Sequence, residues 1–210
     1  MKRFWKKANR GLLLGAVLLV VMIGFVIVKS VQFRSETPEI EAIAQAGLEE
    51  LLALNAAPDG MRVGDTFTEA QKNAKKAELE AYLQKYWDFS GDSNVYYLTA
   101  DFVRKNYAAN VEQPLLCAVK ELTINASSHS MSVLPNGTNY AKVDFSTDAT
   151  ILLTGNRHAL FCGDEFRGLD IGDALAEETY VQYAIYVALE MHRVGGEWKI
   201  ASASFSAWPQ

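Results

Sequence analysis

The stretch Ala141-Lys142-Val143-Asp144-Phe145-Ser146-Thr147-Asp148-Ala149-Thr150-Ile151-Leu152-Leu153 decides the fold. Ala141, Val143, Phe145, Thr147, Ala149, Ile151 and Leu153 take every second position, and Lys142, Asp144, Ser146 and Asp148 fall between them. Successive strand side chains point to opposite faces, so this segment reads as a long strand with one apolar and one polar face. Before it, Pro135-Asn136-Gly137 marks a tight hairpin, because Asn-Gly tolerates the positive backbone angles such a turn needs. After it, Gly155-Asn156 is expected to turn the chain into a strand over 158–162.

The period of two persists on both sides. Upstream, Leu116, Ala118, Leu122 and Ile124 form a first strand stretch. Downstream, Val181, Tyr183, Ile185, Val187, Leu189 and Met191 alternate with Gln182, Ala184, Tyr186, Ala188, Glu190 and His192. Gly195-Gly196 makes the last turn. Strict alternation then puts Trp198 and Ile200 on one face with Ser202, Ser204, Ser206 and Trp208, and Ala201, Ala203, Phe205 and Ala207 on the other.

Ahead of the strands the period is helical. Ser35-Glu36-Thr37-Pro38-Glu39 offers a hydroxyl N-cap, then proline at the first helical position and acids in the first turn. Ile40, Ile43, Ala44, Gly47, Leu48, Leu51 and Leu52 form the stripe of the helix that follows, which ends near Asn55. Thr66 and Glu69 read as the capping box of a second helix reaching about Trp87. Its basic cluster, Lys72 with Lys75 and Lys76, reads as a solvated face, with lipid headgroups as the other option. Thr99-Ala100-Asp101 caps a short third helix. Helices followed by a meander of four to six strands make an α+β domain, its helices packed on a curved, cone-like antiparallel sheet.

Residues 11–28, GLLLGAVLLVVMIGFVIV, carry no charge and no polar stripe. Eighteen residues span about 27 Å as a helix, close to the ~30 Å of a bilayer core. A cleaved signal peptide has a shorter apolar run ending at a small-x-small site, and Ile27-Val28-Lys29-Ser30-Val31-Gln32 offers none. Lys2, Arg3, Lys6, Lys7 and Arg10 flank the run, which places that end in the cytoplasm by the positive-inside rule. The expected organisation is a basic cytoplasmic tail over 1–10, a transmembrane helix over 11–29 and a linker over 30–36. An extracytoplasmic domain over 37–210 follows. Up to Arg34 there are seven basic residues and no acidic one, so the rest carries 13 basic against 25 acidic residues, a balance of −12. Such a surface repels phosphate backbones and argues against nucleic acid as a partner.

The order of elements resembles the nuclear-transport-factor-like and ketosteroid-isomerase-like superfamily. The resemblance is carried by two N-terminal helices, the short helix at Thr99-Ala100-Asp101-Phe102-Val103, and the ending Val194-Gly195-Gly196-Glu197-Trp198-Lys199-Ile200. The layout of basic tail, membrane helix and outer domain is similar to the bitopic scaffold subunit of type IV secretion and conjugation machines. That resemblance implies a non-enzymatic scaffold whose partners are the bilayer and other envelope proteins or a second copy of the chain. The other superfamily behaviour is a small-ligand-binding or isomerase-like domain with an internal cavity.

No residue set identifies a catalytic, metal or cofactor site. Cys117 and Cys162 can pair in an oxidising compartment, a bridge of about 3–4 kcal/mol in the entropic view, or remain buried and inert. His129, His158 and His192 lack the converging spacing of zinc ligands. Asp164, Glu165, Asp170, Asp173, Glu177 and Glu178 form an acidic loop that does not match a calcium-binding loop. An isomerase needs a carboxylate base and an acid donor facing each other in an apolar cavity. Tyr183, Tyr186, Asp101 and Asp144 are of the right type, but alternation puts Asp144 on the polar face. Ser202, Ser204 and Ser206 lack the flanking glycines of a nucleophile elbow. Asn125-Ala126-Ser127 and Asn136-Gly137-Thr138 fit the glycosylation sequon, which matters only in a eukaryotic secretory pathway.

Overall fold

The computed structural model describes residues 10–90, 98–135, 139–157, 159 and 174–210, with side chains from residue 14 and excluding those of 126–130. The chain is α+β: helices α1 (Arg10–Ala53), α2 (Glu69–Tyr86) and α3 (Ala100–Val111), then strands β1 (Cys117–Pro135), β2 (Tyr140–Asn156), β3 (Ala174–Val194) and β4 (Glu197–Pro209). It divides into two compact units, Met1–Pro38 and Glu39–Gln210.

The first unit holds the apolar part of α1. Leu14 to Val28 are all exposed, and the apolar window is long enough to cross a membrane, with none of it buried in the protein. The helix does not start at Ser35 as its capping pattern suggests, and the expected linker over 30–36 is helical. Local hydrogen bonds explain why. Ser35 Oγ donates to the Gln32 carbonyl at 2.7 Å and Thr37 Oγ1 to the Phe33 carbonyl at 3.2 Å, so both hydroxyls serve the helix interior instead of capping an end. Pro38 lies within the helix and withholds one N–H from it.

In the second unit the remainder of α1 buries Ile40, Ala44, Leu48, Leu51 and Leu52. The capping box of α2 forms two residues later than expected: Thr68 accepts from the Gln71 N–H, and Gln71 Oε1 accepts from the Thr68 N–H at 2.9 Å. Both Thr66–Glu69 and Thr68–Gln71 fit the spacing, and the later pair is used. Thr99 caps α3 as expected.

The described strands form one open antiparallel meander in the order β1-β2-β3-β4. Ala141, Val143, Phe145, Thr147, Ala149, Ile151 and Leu153 of β2 are buried, opposite Met191, Leu189, Val187, Ile185, Tyr183, Val181 and Thr179 of β3. The helices cover this inner face. A Cβ added to Gly47 of α1 would lie 3.2 Å from the Ile200 side chain and 3.7 Å from Tyr86, so the absence of a side chain lets α1 approach the sheet. Short backbone segments cover parts of both edges. The Ala57 N–H donates to the Val119 carbonyl, the Asp88 N–H to Ile200, and Leu98 exchanges two bonds with Ala203.

The strands depart from the expected turns and from strict alternation at four places. Gly155 and Asn156 do not turn the chain; both stay in β2 and pair with Leu175 and Ala174. Glu177 and Glu178 belong to β3, not to a loop. In β4, Ile200 pairs with Met191 and Ser202 with Glu190, so Ala201 is an extra residue without its own partner. Such a bulge reverses the parity of everything beyond it. Trp198 and Ile200 therefore share the inner face with Ala203, Phe205 and Ala207, while Ser202, Ser204, Ser206 and Trp208 are outside. Lys120 does the same in β1, where Val119 opposes Leu153 and Leu122 opposes Ile151. Leu116, grouped with Leu122 by strict alternation, is exposed. The Gly195-Gly196 turn is as read, with φ of 62° and 97°. Residues 136–138 and 160–173 lie outside the described residues.

Candidate interaction surface

The outer face of the sheet is laid out in rows by the strand register. Leu134, Lys142, Glu190 and Ser202 make one row; Ser132, Asp144, Ala188 and Ser204 the next; Ser146, Tyr186 and Ser206 the third; Asn125, Asp148, Ala184 and Trp208 the fourth. Ala188 is the smallest side chain in its row, and an open groove of ≈ 380 Å³ lies there. Ser132, Asp144 and Ser146 line one side, Ser204 and Ser206 the other, with Tyr186 beside them. Tyr186 and Trp208 are each more than half exposed, and their rings meet edge to face at 5.7 Å and 65°.

The charges around the groove are mostly answered. Lys142 Nζ stands 3.5 Å from Glu190, whose other oxygen accepts from Ser202 Oγ at 3.2 Å. Further along the strands, away from the groove, Tyr180 donates to Glu121 at 3.0 Å, and Lys120 pairs with Glu178. Asp144 and the groove serines have no hydrogen-bond or ionic partner among the described residues.

A second cluster joins distant segments. Asp88, just after α2, is buried, and its Oδ2 lies 3.1 Å from His192 Nδ1. Its Oδ1 accepts from the Ser90 N–H at 2.9 Å and from Ser90 Oγ at 2.8 Å. Burial pushes the Asp88 carboxyl up, but the bonds from Ser90 and His192 outweigh it and leave the group below the ordinary value. The Tyr140 ring meets His192 edge-on at 4.5 Å. His192, which alternation sets on the strand face of Gln182 and Glu190, is thus half-buried and tied to a carboxylate. Its partner lies 104 positions away, and no local pattern announces the pair.

The other residues singled out from sequence are dispersed. Cys117 is buried, and burial pushes its thiol up to about 12, which makes it a poor nucleophile. Cys162 lies outside the described residues, as do His158, Asp164, Glu165, Asp170, Asp173, Lys2, Arg3, Lys6 and Lys7. The side chains of Arg10 and His129, and the two sequons apart from Asn125, are likewise outside them. Asp101 pairs with Arg104 at 2.6 Å on the surface of α3. Tyr183 is buried in the core, its hydroxyl donating to the Arg157 carbonyl at 2.5 Å. Asp144 and Tyr186 lie in the open groove, so these four do not converge on one site. No three His, Cys, Asp or Glu side chains among the described residues are grouped to hold a metal.

The α2 lysines are taken up within the domain. Lys72 lies 2.6 Å from Glu112 and 2.9 Å from Glu69, Lys76 lies 2.8 Å from Glu112, and Lys75 is buried against the Leu54 carbonyl and Glu78. Hydrogen bonds from Lys72 and Lys76 hold the Glu112 carboxyl down at about 2.

No family model matches the chain, and no curated protein matches it. Among solved structures it is similar to the crystal structure of the intermembrane space region of chloroplast protein ARC6, at 12% identity and a TM-score of 0.38. That match covers 79% of this chain and 95% of the other. At that score the likeness sets neither a family nor a function.

Proposed function

We propose that this chain is a membrane-anchored interaction module. Residues 11–28 lie in a bilayer, the basic residues before them face the cytoplasm, and Glu39–Gln210 works in the extracytoplasmic compartment by binding other envelope proteins or a second copy of the chain. The observation that carries the reading is the bare apolar part of α1. Twelve large apolar side chains between Leu14 and Val28 are 51–67% exposed. Keeping them in water would forgo on the order of 10–20 kcal/mol, as much as the whole stability of an ordinary domain, and lipid removes that penalty. The basic flank supports the orientation. The sheet face left uncovered by the described helices supports a binding role.

The setting we propose is an envelope assembly such as a conjugation or secretion apparatus. Its support is the layout of tail, helix and domain and the order of elements that resembles the nuclear-transport-factor-like superfamily. Neighbouring genes for conjugation or secretion components would strengthen that setting.

The anchor is tested by carbonate extraction and flotation, the orientation by a reporter fused after Gln210. The chain is expected to float with lipid after carbonate treatment, and the reporter to be active only outside the cytoplasm. A chain released to the supernatant refutes the anchor, and a reporter active in the cytoplasm reverses the orientation.

A further inference from the structure

We infer that the groove on the outer sheet face receives a cationic side chain, an arginine guanidinium or a lysine ammonium, presented by a short segment of a partner protein. The inference rests on the interaction-module reading for the partner being a protein; the chemistry of the groove is independent of it.

Three features converge. The first is the Asp144 carboxylate, which lacks a counter-ion among the described residues while Glu190 in the adjacent row has Lys142. The second is the set of hydroxyls around it: Ser132, Ser146, Ser204 and Ser206 line the groove with no protein partner of their own. Their oxygens can accept the N–H groups that a carboxylate leaves over from a guanidinium. The third is the exposed pair Tyr186 and Trp208, whose ring faces attract a cation. At longer range, the balance of −12 beyond Arg34 draws cationic groups toward the domain.

A neutral saccharide is the competing occupant of a groove with hydroxyls and aromatic rings. Two features weigh against it. Tyr186 and Trp208 meet at 65° and so present no flat two-ring platform. A sugar would also leave the Asp144 charge uncompensated beside it.

The test uses the full chain in a polyoxyethylene detergent at low salt, with titrations followed by calorimetry and tryptophan fluorescence. The probes are a capped five-residue glycine–arginine peptide, the same peptide with glutamate for arginine, and chitotriose. The arginine peptide is expected to bind and the other two to fail. Asp144→Asn should weaken binding about fivefold and Tyr186→Ala about threefold. Asp144→Glu, which keeps the charge, should restore most of the affinity. Asp59→Asn removes the same charge from an exposed position elsewhere and should change little. The proposal is overturned by an arginine peptide that does not bind, by Asp59→Asn weakening it as much as Asp144→Asn, or by chitotriose binding that depends on Asp144. Because titration is done in micelles, a failed titration leaves the anchor untouched, and a chain that does not float leaves the titration untouched.

Discussion

Gly155 and Gly196 have nearly the same backbone angle, φ of 93° and 97°, in opposite surroundings. Around Gly196 a new Cβ meets nothing within 4 Å. At Gly155 it would lie 2.5 Å from the Leu116 carbonyl oxygen and 2.6 Å from Val63 Cγ2. Alanine at either position suffers the same kind of backbone strain, about 1–2 kcal/mol. At Gly155 it suffers in addition an overpacking cost of about 1–3 kcal/mol. The Leu116 oxygen cannot step aside cheaply, because it accepts the Asn156 N–H at 2.9 Å, and its neighbour Leu115 exchanges backbone bonds with Gly64 and Asp65 at 2.8 Å. Gly155→Ala should therefore cost about 3–4 kcal/mol, and Gly196→Ala about 2 kcal/mol less. With a urea dependence of about 2 kcal/mol per molar, that difference is a gap of about 1 M between the two midpoints. Urea titration of the full chain in micelles, followed by tryptophan fluorescence, measures it. Adding Val63→Ala to Gly155→Ala should recover less than half the loss, because the closer contact is with backbone. Equal midpoints for the two glycine variants would refute the reasoning, since no steric effect would then remain to distinguish them.

Asp88 has its carboxyl held below the ordinary value of 3.8, so it adds stability that is present above about pH 4 and lost as pH falls through the lowered value in the folded chain. Asp88→Asn should lower stability at neutral pH and flatten the acid limb of a stability–pH curve; an unchanged acid limb would contradict that. Cys117 in a Cys162→Ser chain should resist maleimide at pH 7 and react once urea unfolds the domain, and mass spectrometry reads both states. Leu83, fully buried between α2 and the core, should cost about 2–5 kcal/mol on Leu83→Ala, visible as a lowered urea midpoint.

The fold class was legible because β2 and β3 keep one parity across the core, so alternation alone assigns their faces. Helix starts were less legible because they turn on competition. The hydroxyls of Ser35 and Thr37 fit a cap, yet they bond within a helix already running from Arg10. Pro38 is tolerated there, although its type and position suggest a beginning. The Asp88–His192 contact was out of reach because pairing over 104 positions depends on how the end of α2 meets the edge of the sheet.

The groove was hidden by a single residue. Strict alternation puts Ser202, Ser204 and Ser206 beside Trp198, which is 1% exposed, and so assigns the serines to the core. The apolar positions carry the correction: Trp198 and Ile200 are two apart, Ala203, Phe205 and Ala207 are two apart, and between Ile200 and Ala203 the step is three. An odd step between two in-phase apolar runs is the mark of a bulge, and the same step separates Val119 from Leu122. Deleting Ala201 would set Ser202 directly after Ile200, opposite Glu190 beside Met191, so plain alternation would then hold Trp198, Ile200, Ala203, Phe205 and Ala207 inside and keep Ser202, Ser204, Ser206 and Trp208 outside. The outer surface thus follows from the pairing of β4 with β3, which the extra residue interrupts without reassigning a face.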